Sequence, residues 1–295
     1  MSPGGGCMNR GFSVLLRSAT ILACLMFFAS ATVSAQEPLK LGVHPYLSAS
    51  DLVKRFNPLA EYLGRKLKQP VTIEVANTYD THIQKIGQGA LDIAFMGPAS
   101  YVILTSQYGK RPIVAAFATR EGKVFHGHIM TRKNSPITSL RQLKGTHFVF
   151  GDRDSTMSHF VPRWMLLKSG IDVKDFSNAT FVANHDNISL GILAGTFDAG
   201  AVKEEIFLKY EPQGLRSLAR SPAIADHVFV VREGLPAKTV QSIRQALLGI
   251  TKTEEGRRIL AGLRNDVIAL VPGEDRDFDT LRVILKDLKK AGVEP

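Results

Sequence analysis

The residues best suited to chemistry lie in one short run, Asp154-Ser155-Thr156-Met157-Ser158. The run falls between an apolar strand pattern ending at Phe150 and a helical pattern through Pro162 to Leu167. A hydroxyl-rich turn from strand to helix presents backbone N–H groups at the positive helix end together with short O–H donors. That suits a tetrahedral oxyanion without Lys or Arg. Similar clusters also cap ordinary helices, so the turn alone defines a candidate. His126-Gly127-His128 would put two imidazoles on one face of a strand, but metal ligation needs further converging ligands and none is identifiable nearby. The pair reads as surface histidines of a half-exposed strand. Glu204-Glu205 could do acid–base work only against a substrate and a second partner, and reads as a solvated helix start. There is no Gly-rich phosphate loop, Gly-x-Ser-x-Gly elbow or metalloprotease helix. No metal or cofactor is expected, and nothing in the sequence asks for an enzyme.

The elements that must position these residues alternate between strand and helix. Leu39 to Val43, Val71 to Val75, Leu91 to Phe95, Ile113 to Ala118 and Phe125 to Thr131 read as strands. Leu52, Val53, Phe56, Leu59, Ala60, Leu63 and Leu67 recur at helical spacing, and helices are expected again over Thr81 to Gln88 and Pro98 to Tyr108. After Ser135-Pro136 the pattern restarts: strands at Thr146 to Phe150, Ala179 to Ala183 and Asp198 to Val202, with helices at Ser158 to Lys168 and Ile188 to Leu193. A strand at His227 to Val231 and three helical patterns, Ala237 to Thr251, Thr253 to Leu263 and Arg276 to Lys290, follow. Strand–helix–strand units imply largely parallel sheets, here in two α/β halves.

The chain has 295 residues, 44% hydrophobic and 22% charged, which excludes collagen-like, low-complexity and disordered classes. Residues 1–35 carry Arg10 and Arg17 but no acid, then the apolar stretch Ala19 to Ala31 and the small-x-small site Val33-Ser34-Ala35 before Gln36. This is the pattern of a cleaved secretory signal. A retained anchor helix and a lipoprotein start at Cys24 are the competing readings. Cys7 and Cys24 both fall in this segment, so the mature chain lacks cysteine, which excludes thiol catalysis, Cys-ligated zinc and a structural disulfide. Cleavage leaves 35 basic against 27 acidic residues, a net +8, spread along the chain rather than gathered as nucleic acid requires. An exported, cysteine-free chain with two α/β lobes suggests a clamshell that holds a ligand between them.

The stretch Ser155-Thr156-x-x-x-x-Val161-Pro162 resembles the signature of the phosphate/phosphite/phosphonate-binding periplasmic proteins of ABC transporters. The likeness continues through Asn57-Pro58-Leu59-Ala60-Glu61-Tyr62-Leu63, Gly89 to Tyr101, Asn134-Ser135-Pro136-Ile137, Ala183-Asn184-His185-Asp186, Gly195 to Ala199 and Ser221 to Asp226. The resemblance implies that Ser155, Thr156, Tyr79 and His185 contact the ligand, and that Glu205 and Asp226 take the places of carboxylates in phosphonate-binding members. Two positions depart from the family pattern. Met157 stands where a third Ser is usual, so Ser158 after it would bind ligand in that Ser's place only if the turn shifts, and Phe125 falls near an expected tyrosine. Met157 and Phe125 would then line an apolar wall for a methyl or longer alkyl group, the alternative being a site that has drifted to another oxyanion.

The fold expected is α/β, a two-lobed type II periplasmic-binding-protein-like clamshell, each lobe a mostly parallel sheet flanked by helices. Residues 1–35 would be the signal peptide, 36–132 plus 228–295 lobe one, and 133–227 lobe two. The expected function is periplasmic capture of a small phosphorus oxyanion for uptake, with an inner-membrane ABC permease as partner, no nucleic acid, and a monomeric state. A sensory partner of a membrane receptor kinase, or an exported enzyme acting on a phosphorylated metabolite, are the rival functions.

Overall fold

The computed structural model describes Met1 and residues 36–293; the expected signal segment, with Cys7 and Cys24, lies outside the described residues. The strands in chain order are β1 (Leu39–Val43), β2 (Val71–Val75), β3 (Ile93–Met96), β4 (Ile113–Ala118), β5 (Val124–Phe125), β6 (Gly127–Arg132), β7 (His147–Phe150), β8 (Asn178–Phe181), β9 (Ala199–Lys203), β10 (Leu215–Arg220), β11 (Ile224–Ala225), β12 (Val228–Val231) and β13 (Ala269–Val271). They form a six-stranded sheet, β13-β4-β12-β3-β1-β2, a five-stranded sheet, β10-β6-β9-β7-β8, and the antiparallel pair β5/β11. Each large sheet is the core of one lobe. The β5/β11 pair carries the chain out of the first lobe and back.

Most expected elements form where the hydrophobic period places them. The helix Ala49–Leu67 buries Leu52, Phe56, Leu59, Ala60, Tyr62 and Leu63 on one face, and Ser48 caps it by accepting the Asp51 N–H at 3.2 Å. Two expectations change. The sheets are mixed rather than mostly parallel: β12 pairs antiparallel with both β3 and β4, and β6 pairs antiparallel with both β9 and β10. β12 returns directly from the other lobe, with no crossover helix before it, so nothing forces it parallel. The run Phe125 to Thr131 is also two strands, not one. Phe125 pairs with Ile224 in the crossover, whereas Gly127 to Arg132 belongs to the second sheet, so the chain leaves the first lobe several residues before the boundary expected at 132. Among the described residues, no helix is long and apolar enough to cross a membrane.

Candidate functional site

Side chains from both lobes meet where strands end. β1 runs into His44 and Tyr46, β3 into Gly97, β7 into the turn that carries Ser155 and Thr156, and β9 stops at Lys203. His227 immediately precedes β12, whose antiparallel course puts its start at the same sheet edge. The carboxyl ends of parallel strands are where open α/β sheets bind ligands. With Tyr79, Phe125, Met157 and His185 these residues enclose a cavity of 20 Å³, where one water takes about 10–15 Å³. The lobes are closed over it: the His185 N–H donates to the Tyr46 carbonyl at 3.4 Å, the Ala99 N–H to Thr156 Oγ1 at 2.9 Å, and Arg55 to Glu205 Oε1 at 2.7 Å. A groove of 590 Å³ beside the helix Ala49–Leu67 is larger, but exposed ions such as Lys54, Glu61 and Arg258 line it.

The hydroxyl turn has a geometry that helical periodicity does not reveal. Thr156–Phe160 winds as a π turn in which the Val161 N–H reaches the Thr156 carbonyl five residues back, before the helix Val161–Lys168 begins. Pro162 has no N–H for the Ser158 carbonyl, and that carbonyl accepts the Gly151 N–H at 2.9 Å instead. Gly151 permits this approach, since a Cβ there would lie 1.9 Å from Ser158 Oγ. Ser155 Oγ accepts from the Ser158 N–H at 3.3 Å and the Ser158 hydroxyl at 2.7 Å, which leaves the Ser155 O–H to donate. Thr156 Oγ1 accepts from Ala99, so its O–H is likewise left to donate. Ser158 does not line the cavity as expected; its hydroxyl is spent on Ser155.

Three imidazoles line the cavity, and the groups they bond to fix their tautomers. His185 Nδ1 faces the backbone N–H of Lys203 at 3.2 Å, which can only donate, so His185 carries its proton on Nε2. His44 Nδ1 lies 3.1 Å from the Phe95 carbonyl, and His227 Nδ1 lies 2.9 Å from Asp226 Oδ1; both groups accept, so these two rings carry the proton on Nδ1. Burial, with Lys203 nearby, holds His185 down to about 3, so it is a neutral N–H donor at ordinary pH. Tyr46 and Tyr79 are buried with their phenols pushed well up, mainly by burial, and remain O–H donors. Met157 packs on Gly127, where a Cβ would sit 3.0 Å from its sulfur, and Phe125 meets His227 edge-on at 5.1 Å. Both line the cavity.

Glu205 and Asp226, expected beside the ligand, do not line the cavity. Glu205 is held between Arg55 and Lys203 Nζ, each at 2.7 Å. Burial pushes its carboxyl up, but the two cations outweigh burial and bring it to about 2. Asp226 is fully buried, with Arg264 on both carboxylate oxygens at 2.9 and 2.5 Å. Arg264 and His227 together hold it below the usual range against burial. A buried carboxylate stays ionised only when cations face it. Lys203 lines the cavity, lies over the Tyr46 ring at 3.8 Å, and has its pKa lowered by burial against the pull of Glu205. His44, Tyr46, Lys203 and His227 are the residues that the sequence reading missed. Their shared signal was position at strand ends rather than any local motif. The His126/His128 pair is buried, not solvated: His126 bonds Glu121 and the Ser221 carbonyl, and His128 bonds Glu204 and Ser217. Glu204 also pairs with Arg220 rather than standing free in solvent.

A closed two-lobed α/β frame with hydrogen-bond donors from both lobes around one small cavity defines a solute-binding protein. A model of the family described as "ABC transporter, phosphonate, periplasmic substrate-binding protein" matches residues 41–278, and the chain belongs to that family, whose periplasmic members serve ABC permeases as carriers rather than enzymes. The chain is 24% identical over 296 residues to the probable ABC transporter phosphite binding protein PhnD1 of Prochlorococcus marinus (strain MIT 9301), covering 93% of this chain and 98% of that protein. It is 24% identical over 254 residues to the phosphate-import protein PhnD of Mycolicibacterium smegmatis, covering 77% and 79%. The solved structure of the Prochlorococcus PhnD1 with methylphosphonate shares the fold, with a TM-score of 0.78 at 24% identity over 85% of this chain and 98% of that one.

Proposed function

We propose that this chain captures a compact phosphorus oxyanion without an amino group, such as phosphite, phosphate or methylphosphonate, in the cavity between its lobes and delivers it to an ABC permease. The observation that carries this reading is the division of labour around the cavity. Ser155, Thr156, Tyr46, Tyr79 and His185 have donors to offer, and Lys203 supplies positive charge. Glu205 and Asp226 are each held in ion pairs and lie off the cavity, so neither is free for a ligand ammonium; Asp152 and Asp154 act on Tyr79 from beside the hydroxyl turn but do not line the cavity either. Phe125 and Met157 supply the apolar part of the lining. The names of the similar proteins, which cover phosphite, phosphate and methylphosphonate, support the same class.

The lobes are 36–126 plus 228–295 and 127–227. The mature protein begins near Gln36 and acts as a monomer without nucleic acid; intact-mass measurement of periplasmic material checks the first of these. The ligand class is tested by a thermal-shift screen of phosphite, phosphate, methylphosphonate, aminoethylphosphonate, sulfate and taurine, because a ligand raises stability by RT ln(1 + [L]/Kd). Shifts are expected for the first three. A shift confined to aminoethylphosphonate or taurine would overturn the reading.

A further inference from the structure

We infer that His44 and His227 select the ligand by its protonation state: each offers an acceptor nitrogen to the cavity, so the site takes the singly charged oxyanion that still carries a P–OH and discriminates against the dianion. The inference rests on the proposal above that this cavity is the oxyanion site. His44 and His227 lie nearly parallel, with ring centroids 5.4 Å apart and planes inclined by 17°. Each spends Nδ1–H on an acceptor of the protein, the Phe95 carbonyl and the Asp226 carboxylate. Both Nε2 atoms lie 3.8 Å from the position that a Cβ on Gly97 would take, on the cavity wall. Among the described residues neither Nε2 has a hydrogen-bond partner. A neutral imidazole so arranged turns a lone pair toward the ligand. It repels an unprotonated oxygen and accepts from a P–OH.

Protonation of these rings would remove the discrimination, and their surroundings oppose it. His44 faces Tyr46 on the loop after its own strand, Tyr79 and His82 on the helix Tyr79–Gly87, His227 beside β12 and Lys203 on β9. His227 faces Asp226, Arg264, Lys203, Tyr46, His44 and, more distantly, His185. Asp226 favours a proton on His227, but burial and the cations Lys203 and Arg264 outweigh it, and both rings are held below their ordinary value. The fixed charge agrees. Arg264 balances Asp226, Arg55 with Lys203 exceeds Glu205 by one, and half-buried Asp152 and Asp154 near Tyr79 add negative charge, so the fixed charges disfavour a second negative charge on the ligand.

Isothermal titration of methylphosphonate and inorganic phosphate across pH 5.5–8.5, in two buffers of unlike ionisation heat, tests this. Both ligands lose their second proton near neutral pH. Affinity is expected to fall about tenfold per pH unit above that ionisation, with proton uptake approaching one per ligand. Linkage alone does not say where the proton sits. Long-range 1H–15N spectra of the methylphosphonate complex should therefore show both rings neutral with the proton on Nδ1. Sulfate, a dianion with no proton to donate, should bind at least a hundredfold more weakly than phosphate at every pH. His44→Gln and His227→Gln, which can offer N–H to the ligand, should flatten the pH profile. Phosphorus oxyanion binding with a flat wild-type profile, imidazolium signals in the complex, or tight sulfate binding at low pH would each overturn this inference alone. Absence of binding by either phosphorus ligand at all pH values would overturn the ligand class as well.

Discussion

Replacing Asp226 by Asn separates a carboxylate that touches ligand from one that holds the lobe together. Its side chain is 0% exposed and that of Arg264 only 4%. Asn leaves the guanidinium buried without its principal counter-charge, and breaking a buried ion pair from one side costs about 3–5 kcal/mol. Asp266 stays 2.6 Å from Arg264 Nε, but its side chain is 53% exposed and compensates only in part. A loss of that size lowers the melting temperature by roughly 6–20 °C for a chain of this length. The Asn carbonyl still accepts the His227 Nδ1–H, so ring orientation and ligand affinity should change little in the protein that remains folded. The double variant Asp226→Asn/Arg264→Met should recover much of the loss, because no unpaired buried charge remains. Melting curves of the three proteins, with calorimetric binding of phosphite to each, give the result. Wild-type melting of Asp226→Asn together with a tenfold loss of affinity would refute the reasoning and return Asp226 to the ligand.

Ser155→Ala and Thr156→Ala should each weaken phosphite binding by about 1–3 kcal/mol by calorimetry, since each removes a donor from a buried anion. Ser158→Ala should cost about 1 kcal/mol or less through Ser155, and equal losses for all three would contradict the assigned geometry. Lys203→Met should abolish detectable phosphite binding, whereas Glu205→Gln should leave it within several-fold of wild type; the reverse order in a binding titration would exchange their roles. Acid should destabilise the ligand-free protein. His82 and His159 are each lowered by burial to about 4, so they stay neutral in the folded state while the unfolded chain takes up protons below 6.5. Stability is thus complete above pH 6.5 and falls as pH drops toward 4, by about 2 kcal/mol for each ring at pH 5; urea melts at pH 7 and pH 5 measure it.

The sequence by itself determined the frame of this protein. The unbroken apolar run Ile113 to Ala118, buried along its whole length, and the helical spacing of Leu52, Phe56, Leu59 and Leu63, buried on one face, report burial, a local property that survives into the fold. It also located the hydroxyl turn, because Ser155 is bonded three residues on by Ser158, although Thr156 takes its partner Ala99 from 57 residues away. Only the tertiary structure decided the charges. Glu205 acquires its partner Arg55 from 150 residues away, and Asp226 meets Arg264 across 38. A carboxylate's role depends on which cation reaches it, and no local pattern encodes that. The same holds for His44, His227 and Lys203, which look unremarkable in sequence and come to line one cavity because strands from distant segments end at one edge and two lobes close over them.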